Sequence, residues 1–317
     1  MKMSDSKIIF SCLCLAIASF YSGNLWAKNK FTPKVIPVKA TAKFDLKKST
    51  KPELKFFVMS YCPYGNQIED TLRPVFDLIG NKADLVPHYI FDKIDNIDTF
   101  CKNRSGDPSL CDKYVTTGYF KTISECKSTV SENLTQCTDE KAYIKASNGV
   151  MYSSLHGRQE ANQNVREMCA WKQVTDKKQW WDFVGNINKN CTAQNSDSCW
   201  EDQAKKAGLD TSKITECFNK EGIDLIEKEI ALTTQYKVSS SPTVLINEAP
   251  FPPEDAYTND GKGALKIGSK TATQDKYRTP NVIKTALCES MTKQPKECKT
   301  LLPELSGSAP TAGGCGI

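Results

Sequence analysis

Apolar and polar positions divide this chain unevenly. Nearly continuous apolar residues in LKFFVMSY (54–61) predict a strand buried on both faces. Ile68, Leu72, Val75, Phe76 and Ile79 then recur at helical spacing and predict a helix over 66–79, with Gly80-Asn81 as its stop. DLVPHYIF (84–91) predicts a second strand. Strand, turn, helix, strand is the βαβ opening of an α/β domain.

From Asp92 to about Glu221 that pattern breaks, and no persuasive buried strand follows. Lysine, glutamine and asparagine dominate, while NQNVREMCAWKQV, QWWDFVGNINKNC and SKITECFNKEG place apolar residues three and four apart, as helices do. Strand signals return late. EGIDLIEKEIALTTQYKV predicts a helix with Ile223, Ile226, Ile230 and Leu232 on its apolar side. SSSPTVLIN is a Ser/Pro turn running into a strand, GALKIG is another strand candidate, and TPNVIKTALCESM is a closing helix with Pro280 in its first turn. The two ends therefore complete one α/β domain, over 54–91 and 221–300, around a helical insertion at 92–220.

The first 27 residues stand apart. MKMSDSK is basic overall, IIFSCLCLAIASF is apolar, and YSGNLWA ends in small residues, the layout of a secretory signal peptide. A mature protein without a membrane span, exported to a periplasm or secreted, is the expectation. Residues 28–53 read as a Lys-rich linker and 301–317 as a tail of small residues. The net charge of +5 is modest, and without basic helices or interleaved aromatics nucleic-acid binding is not expected.

Removing the leader leaves 12 cysteines, eight of them in the insertion, which in an exported chain points to disulfides. The polar insertion has little apolar matter for a core of its own, so staples would supply what burial does not. With His88 and His156 as its only histidines and no tight CxxC, the chain offers no zinc motif, and neither a metal nor another cofactor is expected.

Cys62 ends the first strand in SYCPYG, just before the helix. A cysteine there faces unpaired backbone N–H groups, which favour thiolate over thiol. Parity then matters. If Cys62 is a working thiol, 11 cysteines remain, and one more must be unpaired or pair between chains. Cys315, in SGSAPTAGGCGI, is the natural candidate. The alternative is that all 12 pair and Cys62 is structural.

Cys-Pro-Tyr-Gly at 62–65 together with SSSPTV resembles the thioredoxin-like family, over roughly 54–91 and 221–291. The resemblance implies a thioredoxin-like fold with a large helical, disulfide-rich insertion. It also implies a cis Pro242 with Ser241 facing Cys62, and substrate backbone held there, which makes Pro63, Tyr64, Ser241 and Pro242 the substrate-binding candidates. SLHGRQEANQNVREMC (154–169) further resembles the signature of the gamma-interferon-inducible lysosomal thiol reductase family. His156, Gly157, Glu160, Asn164 and Cys169 stand in matching places, whereas Ser154 and Ala161 replace signature cysteines. Cys199 and Cys217 continue the same order of parts.

Gly65 occupies the place of the resolving cysteine in that family's Cys-x-x-Cys. A dithiol cycle between 62 and 65 is thereby excluded by composition. Three readings stay open. Cys62 is a lone nucleophile for thiol–disulfide exchange or isomerisation of a disulfide-containing or thiol-bearing protein, served by a small thiol or a redox partner. Alternatively the fold is catalytically retired and binds peptides or a partner protein. The third is that a distant cysteine has replaced the resolver. His156, Gly157, Cys169, Cys199, Cys217 and Gly65 are read as structural. Glu160, Asn164 and Arg166 are read as caps and ion pairs, and Trp171, Trp180, Trp181 and Trp200 as packing.

Overall fold

The structure is a computed structural model and describes residues 41–304 and 315–316. The signal peptide expected over 1–27 lies outside the described residues, as do the first part of the 28–53 linker and most of the 301–317 tail. The chain forms two compact units, one of residues 98–135 and the other of residues 41–97, 136–304 and Cys315.

In the larger unit the strand predicted over 54–61 is β2 (Glu53–Val58), preceded by the short β1 (Ala42–Lys43). Its side chains alternate between two apolar environments. Leu54, Phe56 and Val58 enter the main core, and Phe57 enters a second cluster with Met59 and Cys62. That is why the run from Phe56 to Met59 is apolar at every position instead of every second one. The helix α1 (Pro63–Ile79) lays Ile68, Leu72, Val75 and Ile79 into the main core. It is followed by β3 (Asp84–Tyr89) and β4 (Asp92–Ile94).

After the smaller unit come β5 (Ile144–Lys145), β6 (Met151–Ser153) and four helices: α5 (Arg158–Gln173), α6 (Lys177–Asn190), α7 (Ser196–Lys206) and α8 (Thr211–Gln235). The helix here numbered α8 joins what the sequence presents as two segments into a single 25-residue element, capped by Asp210 accepting from Ser212 N–H and Lys213 N–H. Then follow β7 (Ser240–Ser241), β8 (Thr243–Ile246), β9 (Ala249–Pro250), β10 (Ala264–Ile267), β11 (Lys270–Thr273) and a helix over Pro280–Glu289.

The central sheet has the order β3-β2-β8-β9, with β2 parallel to β3 and antiparallel to β8. The two ends of the chain thus share one sheet, with Phe56 opposite Pro87 on one side and Val244 on the other. Two further sheets, β1-β10-β11 and β4-β6-β5, are small. The second corrects the expectation that the insertion holds no strand. Its members are two or three residues long, too short to show an alternation.

The helical insertion does not rest on staples alone. Trp180, Phe183, Val184 and Ile187 of α6 are buried in the main core, and Trp181 stacks on Phe56 at 5.7 Å between ring centroids. Cys169 and Cys217 join α5 to α8, and Cys191 joins Cys199 at the start of α7. The smaller unit carries most of α2 (Ile97–Ser105), all of α3 (Cys111–Thr116) and most of α4 (Ile123–Cys137). Its buried cluster consists of Cys111, Cys126 and Val130, with Cys111 bonded to Cys126.

Candidate functional site

Cys62 is the N-cap residue of α1, with Pro63 taking the first helical position, where a missing N–H is harmless. Its carbonyl accepts from Asn66 N–H at 2.9 Å, and its own N–H donates to the Met59 carbonyl at 3.0 Å. The sulfur lies in the second apolar cluster, among Phe57, Met59, Ile90, Val238 and Leu245, and Cys62 is fully buried. Tyr64 packs half-buried against the same cluster, and Pro63 is exposed.

The loop before β8 meets this sulfur from the far end of the sequence. The Ser241-Pro242 peptide bond is cis, and Cys62 Sγ lies 3.5 Å from the Ser241 carbonyl oxygen. The Ser241 hydroxyl accepts from Met59 N–H at 3.1 Å. Gly65 is buried beneath the same group. A Cβ built there would lie 2.8 Å from Ser241 Oγ and 3.2 Å from the Met59 carbonyl oxygen.

The free thiol expected at position 62 is not found. Cys62 is bonded to Cys315, with the Cα atoms 6.1 Å apart. Cys315 opens a two-residue strand paired with β7, at the cis-proline loop, and sits half-buried against the Cys62 cluster. All 12 described cysteines are in disulfides, so the parity question resolves with no odd sulfur, and neither Cys62 nor Cys315 is left over. The site therefore contains a pair of sulfurs, one on the rigid sheet–helix junction and one on the tail.

The turn that presents Cys62 is held from α5. Ser60 N–H and the Ser60 hydroxyl both donate to Asn164 Oδ1, at 3.0 and 2.7 Å. Tyr61 N–H donates to Glu160 Oε1 at 2.9 Å, and the Tyr61 hydroxyl donates to Ser196 Oγ at 2.7 Å. Glu160 Oε2 also receives His156 N–H at 2.8 Å, and His156 Nδ1 lies 2.8 Å from Oε1. Burial works to raise the Glu160 carboxyl, but the hydrogen bonds and charge of His156 outweigh it and hold the group below its ordinary value. Gly157 begins α5 with φ of +90°, a conformation that favours glycine.

Sequence patterning does not mark Ser60, Tyr61, Glu160 and Asn164 as parts of the site. The available signal is a polar stripe at 160, 163, 164 and 167, which follows the helical spacing of a buried face. All four of those residues are buried. Glu167 accepts from the Tyr89 hydroxyl at 2.7 Å and from Gln163 Nε2 at 2.9 Å. Arg166 pairs with Asp197 at 2.6 Å and lies 5.0 Å above the Trp200 ring. Cys169, Cys199 and Cys217 stand in the helical layer, each engaged in its own pair and not in the bond between Cys62 and Cys315. A cavity of about 520 Å³ is lined by Glu69, Trp181 and Asn188, on α1 and α6; none of the cysteines lines it.

Among the described residues no helix is long and apolar enough to cross a membrane. No curated protein matches the chain. A solved structure of a candidate protein disulfide isomerase from Nitrosomonas europaea is similar to it at 12% identity, covering 75% of this chain and 96% of that one, with a TM-score of 0.36. So distant a likeness says nothing of activity. The family model described as the vacuolar sorting receptor thioredoxin-like domain matches residues 94–252. That stretch holds α5 with His156, Glu160 and Asn164, and the Ser241-Pro242 loop, but neither Cys62 nor Cys315. With half of its length matched, the chain belongs to the family of the vacuolar sorting receptor thioredoxin-like domain.

Proposed function

We propose that this protein carries out thiol–disulfide exchange with Cys62 and Cys315 as its two sulfurs, the tail cysteine standing in for the resolver that Gly65 replaces. The observation that carries the reading is the Cys62–Cys315 bond at the N-terminus of α1, beside the loop that closes the thioredoxin-like sheet. Reduced Cys62 is a nucleophile whose thiolate the backbone N–H groups of the first helical turn favour. One of the two sulfurs carries the mixed disulfide with substrate and the other resolves it and restores the internal bond, which a lone cysteine cannot do.

The substrates are disulfide-containing or thiol-bearing proteins, with a small thiol as the companion reductant. The resemblance of 154–169 to the thiol reductase signature supports this reading, because His156, Glu160 and Asn164 hold the Ser60-Tyr61 turn. An exported location, periplasmic or secreted, belongs to the same proposal and is supported by the disulfide density.

Rearrangement of a scrambled disulfide substrate tests the exchange chemistry. Cys62→Ser and Cys315→Ser in the full chain should each lower the rate about tenfold or more, since exchange needs both sulfurs. Wild-type activity no greater than that of both variants would sink the reading. The full burial of Cys62 favours a second one, a peptide- or partner-binding module without catalysis, and a family named for a receptor domain supports it. An inactive wild type would leave that module in front.

A further inference from the structure

The two sulfurs of the proposed centre are not equally reachable. Cys62 is 0% exposed, whereas Cys315 is half-buried at the rim of the same cluster. We infer that in the disulfide form Cys315 is the sulfur that receives an incoming thiolate, and that Cys62 is the sulfur that leaves. This rests on the exchange reading above and adds its direction: substrate becomes attached to the tail, not to the helix.

Two physical conditions point the same way. Displacement at a disulfide needs the nucleophile on the line of the S–S bond, behind the sulfur attacked. Cys62 is wholly buried, with Phe57, Met59, Ile90, Val238 and Leu245 in its cluster. Cys315 is only half-buried, so part of it stays open to solvent. Exchange is also faster when the departing thiolate is the more stable one. Cys62 departs into the N-terminus of a 17-residue helix, where Tyr64 and Gly65 N–H groups have no acceptor four residues back within the helix. Cys315 is on a two-residue strand and has no such helix behind it.

The step balances simply. A thiolate RS⁻ forms a bond to Cys315 Sγ, the Cys62–Cys315 bond breaks, and its electron pair leaves on Cys62 as thiolate. One disulfide is exchanged for another with no net oxidation. Cys62 is then the internal sulfur that can return to Cys315 and expel RS⁻. The ligand chemistry is an accessible aliphatic thiolate, and it can come from a small molecule or from a peptide.

The test uses the oxidised full-length protein with reduced glutathione in one arm and a short single-cysteine peptide in the other. Aliquots are acid-quenched at early times, trapped with N-ethylmaleimide and mapped by mass spectrometry. Extrapolated to zero conversion, the adduct should lie on Cys315 and the maleimide on Cys62, by about tenfold or more over the reverse. A glutathione arm alone would identify a small-thiol site, and both arms a site open to peptides; either carries the inference. Adduct on Cys62 with brisk exchange would overturn the direction and leave the exchange reading standing. A Cys62–Cys315 bond opened no faster than Cys288–Cys298 would overturn both.

Discussion

Glu167 lies wholly buried in α5 with Tyr89 and Gln163 as its donors. Burial outweighs those hydrogen bonds and pushes its carboxyl up from 4.5 to about 7. Glu69, also buried, is raised for the same first reason. A carboxyl raised in the folded chain holds its proton longer there than in the unfolded one. Its stabilising contribution is full below about 4.5 and is lost as pH rises through about 7. Glu160 has the opposite sign, its share being present above 4.5 and lost as pH falls through its lowered value. Urea unfolding of the wild type should therefore lose on the order of 3 kcal/mol between pH 4.5 and 7 through Glu167. Glu167→Gln, which keeps an acceptor for Tyr89, should flatten that slope; an unchanged slope would refute the assignment. At this scale the sequence was readable at Cys62 from its place between strand and helix, and at Ser241 and Pro242 from the resemblance to the thioredoxin-like family. Glu160 and Asn164 were harder, because a polar side chain on a helix looks the same whether it faces water or a buried turn.

The α5–α8 pair shows what joins elements here. Eleven of the 16 residues of α5 are buried, Glu160, Asn162, Gln163, Asn164, Arg166 and Glu167 among them, so the helix is packed more by directed hydrogen bonds than by an apolar stripe. Such contacts add little net stability, since each replaces one made to water. The Cys169–Cys217 bond, closing 48 residues, then matters more than an ordinary staple. Cys169→Ala with Cys217→Ala should lower the unfolding free energy by about 3 to 4 kcal/mol, read from the urea midpoint. A loss below about 1 kcal/mol would mean that the hydrogen bonds hold the pair unaided. Elements with long apolar patterns, such as β2, α1 and α8, could be placed from sequence. The short strands β4, β5 and β6 could not, since two or three residues define no period and the partner of β4 is remote in sequence.

For the whole molecule, the division into units follows where apolar matter runs out. The unit of residues 98–135 has Cys111, Cys126 and Val130 as its buried cluster, against a main core spanning most of the rest of the chain. Its order depends on the Cys111–Cys126 bond to that extent. In the double variant Cys111→Ala, Cys126→Ala, amide hydrogen exchange over 98–135 should accelerate while 158–190 keeps its protection. Equal acceleration in both would show one cooperative unit. The helical, cysteine-rich character of the insertion was legible in its composition. Its participation in the main core through Trp180, Trp181 and Phe183 was legible only as aromatic residues needing somewhere to go.

One glycine decides where the site can hold a second sulfur cheaply. A single base change can turn a glycine codon into a cysteine codon, so a Cys-x-x-Cys at 62–65 lies only a mutation or two away. The Ser241 side chain stands in that short road. The first atom of the new side chain would meet Ser241 Oγ at 2.8 Å, and that hydroxyl already accepts the Met59 N–H. Ser241 would have to turn away, which strips the buried Met59 N–H of its partner. A second sulfur at 65 therefore carries a cost that a bond from Cys62 to the tail does not.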